Sequence, residues 1–65
     1  MRHHFTAPWQ LEFRRGYRGW CVADVKDANG HHIASEIGHT WEQAQERALL
    51  KARDVASAGY EEDAA

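Results

Sequence analysis

The chain has 65 residues, with eight Lys and Arg against ten Asp and Glu for a net charge of −2. Of its 28 apolar residues 11 are alanine, so 17 larger side chains must build the core of one small domain. No apolar run is long enough for a membrane span or a secretory leader, and a lone Cys21 closes no internal disulfide, so a soluble, cytoplasmic chain is expected.

Charge is unevenly placed. Residues 1–20 carry Arg2, Arg14, Arg15 and Arg18 against Glu12, a balance of +3, while residues 21–65 carry −5. Such a split marks either a surface for nucleic acid or an acidic partner, or a basic loop beside an acidic tail.

Residues 1–8 show no periodicity and read as a flexible N-terminal arm. From Trp9 to Arg14 the pattern alternates, with Trp9, Leu11 and Phe13 on one face and Gln10, Glu12 and Arg14 on the other. Period two with aromatics predicts a half-buried strand. Arg15-Gly16-Tyr17-Arg18-Gly19 is a turn, because glycine supplies backbone conformations that reverse the chain.

Trp20 to Lys26 predicts a second strand, with Cys21, Ala23 and Val25 on one face and Trp20, Val22 and Asp24 on the other. A strand without clean alternation belongs in the middle of a sheet. Asp27-Ala28-Asn29-Gly30 fits a type I turn. His31 to Ile37 is the third strand, with Ile33 and Ile37 on the core face and His32, Ala34 and Glu36 opposite. Short connections make the three strands an antiparallel meander.

Thr40 is a helix N-cap, and Gln43 three residues on completes a capping box. The helical period gathers Trp41, Ala44, Ala48, Leu49, Ala52, Val55 and Ala56 into one apolar stripe. Gly59 serves as the stop, and residues 60–65 form an acidic tail. The expected fold is α+β: a three-stranded antiparallel meander with one C-terminal helix packed on one face (βββα), spanning residues 9–59. Its core is Trp9, Leu11, Phe13, Cys21, Ala23, Val25, Ile33, Ile37, Trp41, Ala44, Ala48, Leu49, Ala52 and Val55.

One helix covers one face of the sheet, which leaves the other face open to a partner. The expected partner-binding residues are Arg14, Arg15, Tyr17, Arg18, Trp20, Val22 and His32, since Trp, Tyr and Arg dominate binding hot spots. The same Arg14–Trp20 run could neutralise phosphates and stack on bases, which makes nucleic acid the alternative partner. A second copy of the chain could also cover the open face, and Leu50, opposite the apolar stripe, could contribute to such a dimer. No metal framework, phosphate loop or nucleophile motif is present. Five histidines do not converge, because His31 and His32 point to opposite faces of a strand. A buried mid-strand Cys21 is inert. A non-enzymatic protein-binding module with no cofactor is therefore expected.

The segment Trp20 to Ala58, with its Asp27-Ala28-Asn29-Gly30 turn, Ile33-Ala34 and alanine-studded helix, resembles short proteins encoded by phages and prophages. That resemblance implies an adaptor or inhibitor acting on a host protein. The βββα order is also similar to the core of double-stranded RNA-binding domains and of HicB-type antitoxins. The helix departs from those RNA-binding domains in opening Trp41-Glu42-Gln43-Ala44, without their lysines.

Overall fold

A computed structural model of the chain describes residues 5–64, with side chains as far as residue 57. Strands β1 (Gln10–Arg15), β2 (Cys21–Lys26) and β3 (His32–Gly38) form one antiparallel sheet in the order β1-β2-β3, and α1 (Trp41–Ala64) follows. The fold is the α+β, βββα layout that the residue pattern predicts. Among the described residues no helix is long and apolar enough to cross a membrane.

The middle strand is buried on both sides. Cys21, Ala23 and Val25 pack toward the helix, and Val22 and Asp24 are buried on the opposite face. Three alanines at helical spacing, Ala44, Ala48 and Ala52, are each fully buried against this strand and against Ile33 and Ala34 of β3. Because the helix contributes only methyl groups along this stripe, it lies close to the sheet. Leu11, Leu49, Val55, Trp9 and Phe5 fill the margins.

The helix start is capped as its sequence dictates. The Gln43 amide donates to Thr40 Oγ1 at 3.1 Å, and Gln43 Oε1 accepts from the amide of His39 at 2.7 Å, one residue before the usual capping-box position. At its other end the helix runs through Gly59 to Ala64 instead of stopping at Gly59. One interior glycine costs a helix about 1 kcal/mol, and no proline follows to enforce a break.

Two core expectations are corrected. Ile37 lies on the open face and is 48% exposed, while Ala34 is buried in the core. The cause is an irregularity in the β2–β3 pairing: Val25 pairs with Ala34 but Lys26 pairs with His32, which leaves Ile33 as an extra residue. One inserted residue reverses the facing of everything beyond it. Ile33 and Ala34 therefore both reach the core, and Ile37 joins Ser35 on the other side.

Phe13 and Trp41 are the second correction. The helix lies over β2 and β3 and barely reaches β1. Phe13, on the helix side of β1, is left 46% exposed, with Trp41 beside it also exposed.

Part of the expected arm is fastened to the β2–β3 turn. The Thr6 amide donates to Asp27 Oδ2 at 3.2 Å, the Ala28 amide donates to the Thr6 carbonyl at 2.8 Å, and Phe5 packs against the core. Asp27, fully buried, also accepts from the amides of Asn29 and His31 through Oδ1. The turn itself is closed by the Gly30 amide on the Asp27 carbonyl at 3.0 Å. Burial alone would raise the Asp27 carboxyl, but the hydrogen bonds from His31, Thr6 and Asn29, with the nearby His31 ring, outweigh it and hold the group below its ordinary value.

Candidate interaction surface

The open sheet face carries a connected polar row. Arg14 Nε donates to Asp24 Oδ2 at 3.0 Å, Ser35 donates to Asp24 Oδ1, and the His32 ring meets Ser35 Oγ at 2.7 Å. Beside it Lys26 pairs with Glu12 at 3.0 Å. Hairpin register places these groups together: Glu12 opposes Asp24, Gln10 opposes Lys26, and Asp24 opposes Ser35. Burial would raise the Asp24 carboxyl, yet Ser35, Arg14 and His32 together keep it below the usual carboxylate value. A face whose charges satisfy one another offers little unpaired chemistry to a partner.

Apolar groups gather at the end of this face nearest the β1–β2 turn. Val22 is only 4% exposed, enclosed by its neighbours, whereas Ile37 opposite it is half exposed. A Cβ at Gly16 would come within 2.7 Å of Val22 Cγ2, so a larger residue there must push the valine methyl aside.

The turn follows from Gly16 and Gly19. The Gly16 amide donates to the Trp20 carbonyl at 2.8 Å, and the Gly19 amide donates to the Gly16 carbonyl at 3.0 Å. Gly19 takes φ +78°, which suits glycine, but Arg18 also sits in the left-handed region, at φ +59°. A non-glycine residue is uncommon there and costs about 1–2 kcal/mol. The strained residue projects from the tip, with its guanidinium 5.3 Å from the centre of the Tyr17 ring. Tyr17 is 82% exposed.

Arg15 turns to the helix side, since successive strand residues alternate. Its guanidinium lies 4.8 Å from the Trp41 ring centre and donates to the Gly19 carbonyl at 2.9 Å. Phe13 meets Trp41 edge to face at 5.9 Å. Trp20, half-buried just before β2, stacks on His39 at 4.2 Å. Among the described residues neither Arg15 nor Arg18 forms an ion pair with a carboxylate.

The seven residues expected to bind a partner therefore divide. Arg15, Tyr17, Arg18 and Trp20 cluster at the turn. Arg14 and His32 are engaged in the polar row, and Val22 is enclosed. Phe13 and Trp41, which the residue pattern assigns to the core, join the turn cluster together with His39. Nothing in period-two spacing announces them; they depend on where the helix comes to rest. Cys21 is buried, with its thiol directed to the His39 carbonyl. Among the described residues no three His, Cys, Asp or Glu side chains converge as metal ligands would. Comparison with family models, curated proteins and solved structures finds no match to this chain.

Proposed function

We propose that the chain is a small non-enzymatic protein-binding module, an adaptor or inhibitor, that docks through the Arg15–Trp20 turn and the aromatic groups flanking it. The observation that carries this reading is Arg18: a left-handed arginine between a largely exposed tyrosine and a glycine, with no carboxylate partner among the described residues. Strained backbone at an exposed tip is retained where the side chain's position matters more than local stability. Tyr17, Arg18, Arg15 and Trp41 are also the residue types that dominate hot spots. Two guanidiniums without a carboxylate partner among the described residues favour an acidic patch on the partner. The open face plays a smaller part, because Arg14, Asp24, Ser35 and His32 already satisfy one another.

The test replaces Tyr17 and Arg18 with alanine. Partner capture should be lost while the circular-dichroism spectrum stays the same, and a Leu50→Ala variant should capture normally. Equal capture by the double variant refutes the reading. The exposed rings of Phe13, Tyr17 and Trp41 beside the arginines favour a second reading, single-stranded nucleic acid, in which bases stack on aromatics. It requires salt-sensitive binding of a labelled strand, and no binding at low ionic strength ends it.

A further inference from the structure

Among the described residues the sheet has two edges, β1 and β3, and only β3 is blunted. Free edges recruit other strands unless something obstructs them. On β3 the pairing irregularity distorts one end, and Arg47 Nη1 donates to the Ile37 carbonyl at 3.2 Å. No such irregularity interrupts β1, which pairs with β2 in continuous register from Gln10 to Arg15. Among the described side chains none donates to its outer edge.

The turn reveals which β1 backbone groups face outward. Gly16 donates its amide to Trp20, so Gly16–Trp20 is a hydrogen-bonded pair. Alternation along an antiparallel ladder then turns the backbone of Arg14, Glu12 and Gln10 toward β2. The amides and carbonyls of Leu11, Phe13 and Arg15 consequently face the free edge.

We propose that two copies of this chain pair antiparallel along β1, with Phe13 of each opposite Phe13 of the other, joining two sheets into one of six strands. Outward-facing residues must oppose one another, which leaves three central registers. Centring on Glu12 sets two carboxylates against each other, and centring on Arg14 sets two guanidiniums against each other; like charges directly opposite are destabilising. Centring on Phe13 places Glu12 opposite Arg14 of the second copy, twice. The polar row then continues across the seam with alternating sign: Asp24 and Arg14 of one copy, then Glu12 and Lys26 of the other, each intramolecular pair already formed. On the helix side the seam brings together the two half-exposed Phe13 rings, each against its own Trp41. The two turns point in opposite directions, so Tyr17 and Arg18 stay outward, while Phe13 passes from the docking surface into the seam. A six-residue seam is smaller than a standard interface of about 800 Å² per partner, so a weak, reversible dimer is expected.

Sedimentation equilibrium of the full chain from about 5 to about 500 µM should give a mass rising from 7.4 kDa toward twice that value. The chain is short enough to synthesise with an N-methyl group on Phe13, which blocks an outward amide and leaves the β1–β2 ladder intact. That variant should keep its circular-dichroism spectrum and remain monomeric. In a Cys21→Ala background, Phe13→Cys should oxidise to a covalent dimer, because opposed Cα atoms at about 5.5 Å fit a disulfide; Ile37→Cys should not. A single 7.4 kDa species throughout, self-association indifferent to N-methylation, or faster cross-linking through Ile37→Cys overturns the proposal.

Discussion

Replacing Gly38 with alanine should destabilise the fold more than any other glycine substitution in the sheet. Gly38 ends β3, where the chain turns into the helix. A Cβ there would lie 2.7 Å from the Ala44 amide nitrogen, 3.0 Å from Gln43 Cβ and 3.1 Å from the Gln43 carbonyl carbon. Ordinary contact begins near about 3.5 Å, so the first helical turn must withdraw by several tenths of an ångström. That movement lifts Ala44 out of a fully buried seat and stretches the Thr40–Gln43 cap. Overpacking of this kind costs about 1–3 kcal/mol, and a weakened cap adds up to about 1 kcal/mol. The stiffer unfolded chain returns about 0.4–1 kcal/mol. The net loss is about 1–3 kcal/mol, a large part of the roughly 3–10 kcal/mol expected of a domain this size. In a thermal scan the midpoint should fall by about 5–20 °C. Gly16→Ala is the comparison, because its Cβ would meet a valine methyl and no backbone atom within 3.4 Å, so the side chain can yield. If Gly38→Ala stays within about 0.5 kcal/mol of the parent, or proves milder than Gly16→Ala, the close approach of helix and strand is wrong.

Asp24 and Asp27 both have depressed folded-state carboxyl values, so their stabilisation is present above the unfolded value of about 3.9 and is lost as pH falls through the lower folded values. Urea midpoints followed from neutral to acid pH should drop across that window, and Asp27→Asn should be less stable at neutral pH with a shallower acid decline; an unchanged slope contradicts the role given to Asp27. Ile33→Ala should cost about 2–4 kcal/mol and Ile37→Ser less than about 1 kcal/mol; similar losses would remove the irregularity in the β2–β3 pairing. Cys21 should react with a thiol reagent in the folded protein only at the rate of opening, since its sulfur is buried, and prompt labelling would place it at the surface.

The strands, their order, the Asp27 turn and the Thr40 cap all follow from local rules, and each was legible because its signal lies within a few residues. A strict period of two puts residues 33 and 37 on one side, so spacing alone sets Ile37 in the core. The single extra residue at Ile33 leaves no mark in the composition of β3. Apolar patterning places Phe13 and Trp41 in the core because it tells which side of an element is apolar, not whether helix and strand meet there. The polar row around Asp24 joins residues 10 and 11 positions apart, and it becomes visible only once both hairpin registers are set. By contrast, the cluster at Tyr17 and Arg18 was legible, since glycines on either side force that segment to the tip.

The Asp27 carboxylate holds the amides of Thr6, Asn29 and His31 at once. It therefore acts as a clasp between the beginning of the fold and a reversal some twenty positions downstream. Those two stretches should open together and close together, as one unit of local unfolding. A lesion at this one side chain would loosen both, however well the helix and the central strand remained packed.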